Sequence, residues 1–214
     1  MFSMFYEAGY NATIFELNLN NWNTSKVMDM SRMFYKAGYS ATTWSIENLS
    51  NWNTSSVTDM SHMFSSAGHS ATIFELDLSN WDTSNVTKMP NVFNSAGYSA
   101  TTWSVGDISN WNTSSVIDMT SMFQRSGYNA TTFELDLSRW NTSNVARMMN
   151  LFYETGYNAT TWSIGDISNW DTSNVTDMSY MFNEAGYNSI TLDLDLRGWN
   201  TSSVTDMPYM FNEA

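Results

Sequence analysis

Apolar residues return along this chain in blocks of fixed design. In one block Met178, Met181, Phe182 and Ala185 lie at i, i+3, i+4 and i+7, one face of a helix, and Gly186 follows where a helix ends. The spacing predicts a short helix in every block. A second pattern alternates apolar and polar residues, as in Phe74-Glu75-Leu76-Asp77-Leu78 and Phe133-Glu134-Leu135-Asp136-Leu137, and predicts half-buried strands. Between the two lies W-N/D-T-S-N/S, which is turn chemistry. V-x-D-M, as in Val57 to Met60, predicts a further short extended piece before the helix.

These blocks repeat. Trp22, Trp52, Trp81, Trp111, Trp140, Trp170 and Trp199 occupy one frame, at steps that alternate between 30 and 29 residues. A fixed period of this size predicts a repeat solenoid. The alternation makes the true unit a 59-residue pair of unlike turns. Trp103-Ser104-Val105-Gly106-Asp107-Ile108 holds one residue more than its counterpart Phe74 to Leu78, which predicts a bulge. The expected architecture is seven stacked turns of 29 or 30 residues, each with short parallel strands and a short helix, in a single domain spanning residues 1–214. The seven tryptophans would form a core ladder rather than a binding platform, because they recur in every turn beside turn residues.

Composition narrows the partners. Charged residues are only 14% of the 214, yet the net charge is −13. So acidic a surface argues against nucleic acid and anionic membrane, both of which need a basic patch. Without cysteine there are no disulfides or thiolate metal sites. No apolar run reaches the ~18 residues of a membrane helix, so no membrane insertion is expected.

Several columns could carry chemistry. The T-S pair of every turn, from Thr24-Ser25 to Thr201-Ser202, could present a flat ice-binding row or merely cap backbone groups; capping is the expectation. Asp59, Lys88, Asp118, Arg147 and Asp177 share a column in which neighbouring charges alternate. Glu75 with Asp77, and Glu134 with Asp136, have no basic complement; a solvated face is expected, with calcium as the alternative and no other cofactor. Sequons abound, but the N-T-S asparagine becomes Asp82 and Asp171 in two turns, which keeps an acceptor and loses a sugar site. Asn11, Asn129 and Asn158, in N-A-T, are the better glycan candidates. His62 and His69 fall in one turn and form no nucleophile–base set, so an enzyme is not expected.

The string running from Asp166-Ile167-Ser168-Asn169-Trp170 to Ala185 resembles the bacterial surface-protein repeat of mycoplasma lipoproteins and Gram-positive surface proteins, which is grouped with the BspA-like leucine-rich repeats. The resemblance covers nearly the whole chain. It implies a leucine-rich-repeat-like solenoid at the cell surface or outside the cell, linked to adhesion. The units here are longer than that family's, the excess lying in segments such as Gly127-Tyr128-Asn129-Ala130-Thr131.

The chain opens with Met4-Phe5 and closes at the same phase with Met210-Phe211, without a visible capping unit. That phase predicts either a slice of a longer array or end-to-end stacking of copies through Met4, Phe5, Met210 and Phe211. The functional expectation is therefore a non-enzymatic extracellular structural or adhesive protein, first as a segment of a self-assembling filament. The alternative is a monomeric adhesin binding a host protein or glycan, and after it an ice-binding protein.

Overall fold

A computed structural model describes all residues from Met1 to Ala214. Six short strands occur: β1 (Ile14–Asn18), β2 (Thr43–Glu47), β3 (Ile73–Glu75), β4 (Thr102–Ser104), β5 (Thr132–Glu134) and β6 (Thr161–Ser163). They pair in parallel, β1 with β2, β3 with β4 and β5 with β6, like residue on like: Phe15 faces Trp44, Phe74 faces Trp103 and Phe133 faces Trp162. On another side of each unit a row of single parallel bridges runs Asp29–Asp59–Lys88–Asp118–Arg147–Asp177–Asp206. Both ladders follow from the sequence period, since only parallel stacking puts every residue against its own counterpart.

The bulge is present. Leu76 N–H donates to the Ser104 carbonyl, but Leu78 N–H donates to Val105, one residue on instead of two. Gly106 therefore stands outside the ladder at φ +77°. Gly165, its counterpart a double unit later, has φ +76°.

The short helix of each turn is not there. The only helical piece is a three-residue 3-10 turn, Leu49–Asn51. In its place runs a chain of tight turns whose N–H groups alternate in direction. Met33, Tyr35 and Ala37 donate to carbonyls three residues back, whereas Arg32, Phe34 and Lys36 donate to Ser61, Met63 and Ser65 of the next unit. A helix would turn every N–H inward; here half of them tie one unit to the next. The cost is a left-handed backbone at two non-glycine residues per unit, such as Arg32 and Lys36 or His62 and Ser66, at φ between 53° and 57°. The apolar spacing identified the buried face correctly, since Met178, Met181, Phe182 and Ala185 are all fully buried. It did not distinguish a helix from a run of turns with the same inward spacing.

The core is one contiguous cluster of 54 buried apolar residues running the length of the stack. Phenylalanines from Phe5 to Phe211 stack unit on unit with ring centroids 5.2–5.7 Å apart. Trp52, Trp81, Trp111, Trp140 and Trp170 are at most 4% exposed, while Trp22 and Trp199 in the outer units are half-buried. From Trp81 onward each indole Nε1 donates to a carbonyl of the preceding unit, as Trp81 does to Leu49 at 2.8 Å. The five inner tryptophans of this column therefore lie in the core, with Trp22 and Trp199 packed against it.

Candidate functional site

Six of the seven T-S threonines are turned inward, and Thr201 of the last unit is exposed. Thr24, Thr54, Thr83, Thr113, Thr142 and Thr172 are buried, and each Oγ1 donates to a backbone carbonyl of the next unit at 2.9–3.0 Å. The preceding Asn or Asp accepts from the backbone of the serine two residues on, as Asn53 does from Ser55 and Asp82 from Ser84. This explains the Asn/Asp exchange within the column, because either side chain supplies the one oxygen the turn needs. These residues hold units together and are unavailable as a binding row.

The charged column behaves as its alternation implies. Lys88 lies 3.4 Å from Asp59 and Arg147 2.9 Å from Asp118. Nearer the core, Arg125 grips Glu154 with two hydrogen bonds of 2.8 and 2.9 Å, while Tyr153 lies beneath its guanidinium. Glu154 is only 8% exposed, whereas the Arg125 side chain is 43% exposed, so the carboxylate end of the pair is the shielded one. No group of three or more His, Cys, Asp or Glu side chains is placed to hold a metal.

The feature that sequence reasoning missed is an outer aromatic ladder. Tyr10, Tyr39, His69, Tyr98, Tyr128, Tyr157 and Tyr187 stack in one continuous file, with centroids 4.5–4.9 Å apart and ring planes within 19° of parallel. The signal was present: these residues follow the glycine of every block at alternating steps of 29 and 30. The glycine positions the file. Gly97, at φ +55°, lies so close to the strand that a Cβ there would come within 2.4 Å of Phe74 Cβ. Each ring is half-buried except the outermost, Tyr187, at 45% exposure. Because the faces cover one another, the ladder presents ring edges and hydroxyls outward. Burial and the flanking Tyr98 and Tyr157 push the Tyr128 phenol up to about 12, and burial lowers His69 below its ordinary value.

The next residue forms a second file. Asn158 Nδ2 donates to Asn129 Oδ1 at 2.7 Å, and Asn188 Nδ2 donates to Asn158 Oδ1 at 2.8 Å. Asn158, a glycan candidate, is exposed, but its Nδ2 is held by this amide ladder; Asn129 is half-buried and Asn11 is exposed. Beside them run two exposed columns, Thr42, Thr72, Thr101, Thr131, Thr160 and Thr43, Ile73, Thr102, Thr132, Thr161. Of the four residues expected to join copies, Phe5 and Phe211 stack on Phe34 and Phe182, Met210 is buried, and Met4 and Phe211 are about half exposed, at 53% and 48%.

No helix is long and apolar enough to cross a membrane. No curated protein and no solved structure matches the chain. Three overlapping segments, residues 1–105, 70–163 and 128–214, match one protein family, described as Mycoplasma protein of unknown function, DUF285. Together those matches span the whole sequence, and their overlap reflects the repeat itself. A chain of repeated units with short parallel strands and almost no helix, it belongs to the DUF285 family of Mycoplasma proteins.

Proposed function

We propose that this protein is a leucine-rich-repeat-like solenoid of the BspA-like type that works outside the cell as a non-enzymatic adhesive rod. The observation that carries the reading is the outer aromatic ladder with its flanking amide and threonine files. An aromatic ring recurs at each unit, with threonine beside it in most units and an amide at Asn129, Asn158 and Asn188, spaced by about 4.8 Å per step of the stack. Many weak identical contacts on a stiff support bind a repetitive partner, a host protein surface or a glycan chain, through multivalency rather than through one deep pocket.

The test uses purified monomer and immobilised host matrix protein or glycan. The triple change Tyr98→Ala, Tyr128→Ala and Tyr157→Ala is expected to weaken saturable binding at least tenfold while thermal unfolding stays cooperative. Undiminished binding by a folded triple variant would remove the ladder from the reading.

Self-assembly into filaments is the second reading. Its support is that the phenylalanine stack continues through both outer units to Phe5 and Phe211. Phe211→Asp is expected to abolish concentration-dependent polymer in sedimentation and electron microscopy. A variant that polymerises like the parent refutes end-stacking.

A further inference from the structure

The outer ladder places phenol on phenol at four steps: Tyr10–Tyr39, Tyr98–Tyr128, Tyr128–Tyr157 and Tyr157–Tyr187. Their centroids are 4.9, 4.5, 4.7 and 4.7 Å apart, with ring planes 4°, 14°, 4° and 4° from parallel. The rings are half-exposed along one edge, so a solvent-borne oxidant reaches them while the fold keeps each against its neighbour. The third position of the file is His69, stacked between Tyr39 and Tyr98 at 4.5 and 4.8 Å. It divides the phenols into a pair and a run of four. Two similar pairs lie off the ladder, Tyr6 on Tyr35 at 4.9 Å and 15° and Tyr180 on Tyr209 at 5.3 Å and 21°.

We propose that this ladder is a site of oxidative cross-linking, in which stacked tyrosines of adjacent units couple to dityrosine and staple the stack covalently. The chemistry needs a one-electron oxidant, for which a haem peroxidase supplied with hydrogen peroxide is the class. Each of two neighbouring phenols gives up one electron to the oxidant and its hydroxyl proton to water. The two phenoxyl radicals join through the ring carbons ortho to oxygen, forming one carbon–carbon bond. The hydrogens on those two carbons then move to the oxygens, restoring two phenols. In sum, two tyrosines and one hydrogen peroxide give one dityrosine and two waters. Each link closes a loop of one unit, so it restrains the unfolded chain and raises the temperature needed to unfold the protein.

The fold dictates which pairs couple, and this makes the idea testable. The full-length monomer is treated at low concentration with peroxidase and hydrogen peroxide, then digested and sequenced by mass spectrometry, with dityrosine fluorescence as a parallel readout. Links are expected within the four ladder pairs, at Tyr6–Tyr35 and at Tyr180–Tyr209. None is expected between Tyr39 and Tyr98, which His69 separates, or between Tyr153 and Tyr180, which meet edge-on at 6.3 Å. Tyr128→Phe keeps the stack but removes the phenol, and should erase the Tyr98–Tyr128 and Tyr128–Tyr157 links while sparing Tyr157–Tyr187 and Tyr10–Tyr39. His69→Tyr should add links to Tyr39 and Tyr98. No intramolecular dityrosine, or a set of links that is the same when the chain is first unfolded in denaturant, would overturn the proposal.

Discussion

Two buried indoles show how much one hydrogen bond is worth in this stack. Trp52 and Trp162 have no partner at Nε1, whereas Trp81 and Trp111 donate to Leu49 and Leu78. Replacing Trp by Phe opens a void at either kind of site, but only at Trp81 or Trp111 does it also remove a made bond, worth about 0.5–1.5 kcal/mol net. Trp81→Phe is therefore expected to lower unfolding free energy by about 1 kcal/mol more than Trp52→Phe, measured by urea denaturation of both. His69 supplies the pH argument at this scale. Burial lowers its value below the ordinary 6.5, so on acidification the unfolded chain takes up the proton first. Stability attributable to His69 is complete above about pH 6.5, falls as pH drops, and stops falling once the folded value is passed. His69→Tyr should flatten the urea midpoint between about pH 7 and about pH 5; an unchanged slope would refute this assignment. His62, also lowered by burial and then by Arg32, leaves a smaller slope in that variant.

The turn segment is where periodicity and backbone part company at the scale of the element. Ser66 sits there at φ +57°, a conformation that costs a side-chain-bearing residue about 1–2 kcal/mol. Ser66→Gly is expected to be neutral or stabilising, and Ser66→Val destabilising by at least about 1 kcal/mol, because a β-branched residue tolerates this region least. In a regular helix the order would be reversed, with Gly the worse of the two. Thermal denaturation of the two variants thus tests the turn assignment directly. In the neighbouring W-N/D-T-S turn, the hydrogen bonds from Ser84 and Ser173 hold the Asp82 and Asp171 carboxyls below the usual carboxylate value of 3.8. Stability from these groups is full above that value and is lost as pH falls through the depressed one. Asp82→Asn should keep neutral-pH stability and remove its share of the acid loss.

For the whole molecule, stability resides between neighbouring units, because each unit spends half its turn N–H groups on the next. The strand column alternates Phe15, Trp44, Phe74, Trp103, Phe133 and Trp162, with centroid distances of 6.4, 4.6, 6.3, 4.8 and 6.4 Å. The contact from a short unit to the long one after it thus differs from the contact onward. Deleting residues 75–133, one 59-residue double unit, restores every like-to-like contact and is expected to leave a cooperative fold. Deleting residues 75–103 alone sets two units of one kind side by side, and is expected to lower the melting temperature further despite removing less protein. Equal melting temperatures would show that the two unit types are interchangeable. Far-ultraviolet circular dichroism of the parent should lack a helical signature.

Much of this was legible in the sequence. The alternating step of the tryptophans set the unit and its doubling, the spacing of Met178, Met181, Phe182 and Ala185 set the buried face, and the exchange of Asn for Asp at Asp82 marked a structural turn. These are local or periodic properties, carried by composition at fixed intervals. The backbone of the turn segment was decided only in three dimensions. The inward spacing fits a helix and a chain of turns alike, and the choice between them depends on whether neighbouring units compete for the N–H groups. The outer ladder was decided there too. An aromatic residue after the glycine that ends each turn segment reads as a tail in one unit, and it becomes a continuous stack only when parallel packing brings seven of those positions, Tyr10 to Tyr187, into ring contact with their neighbours.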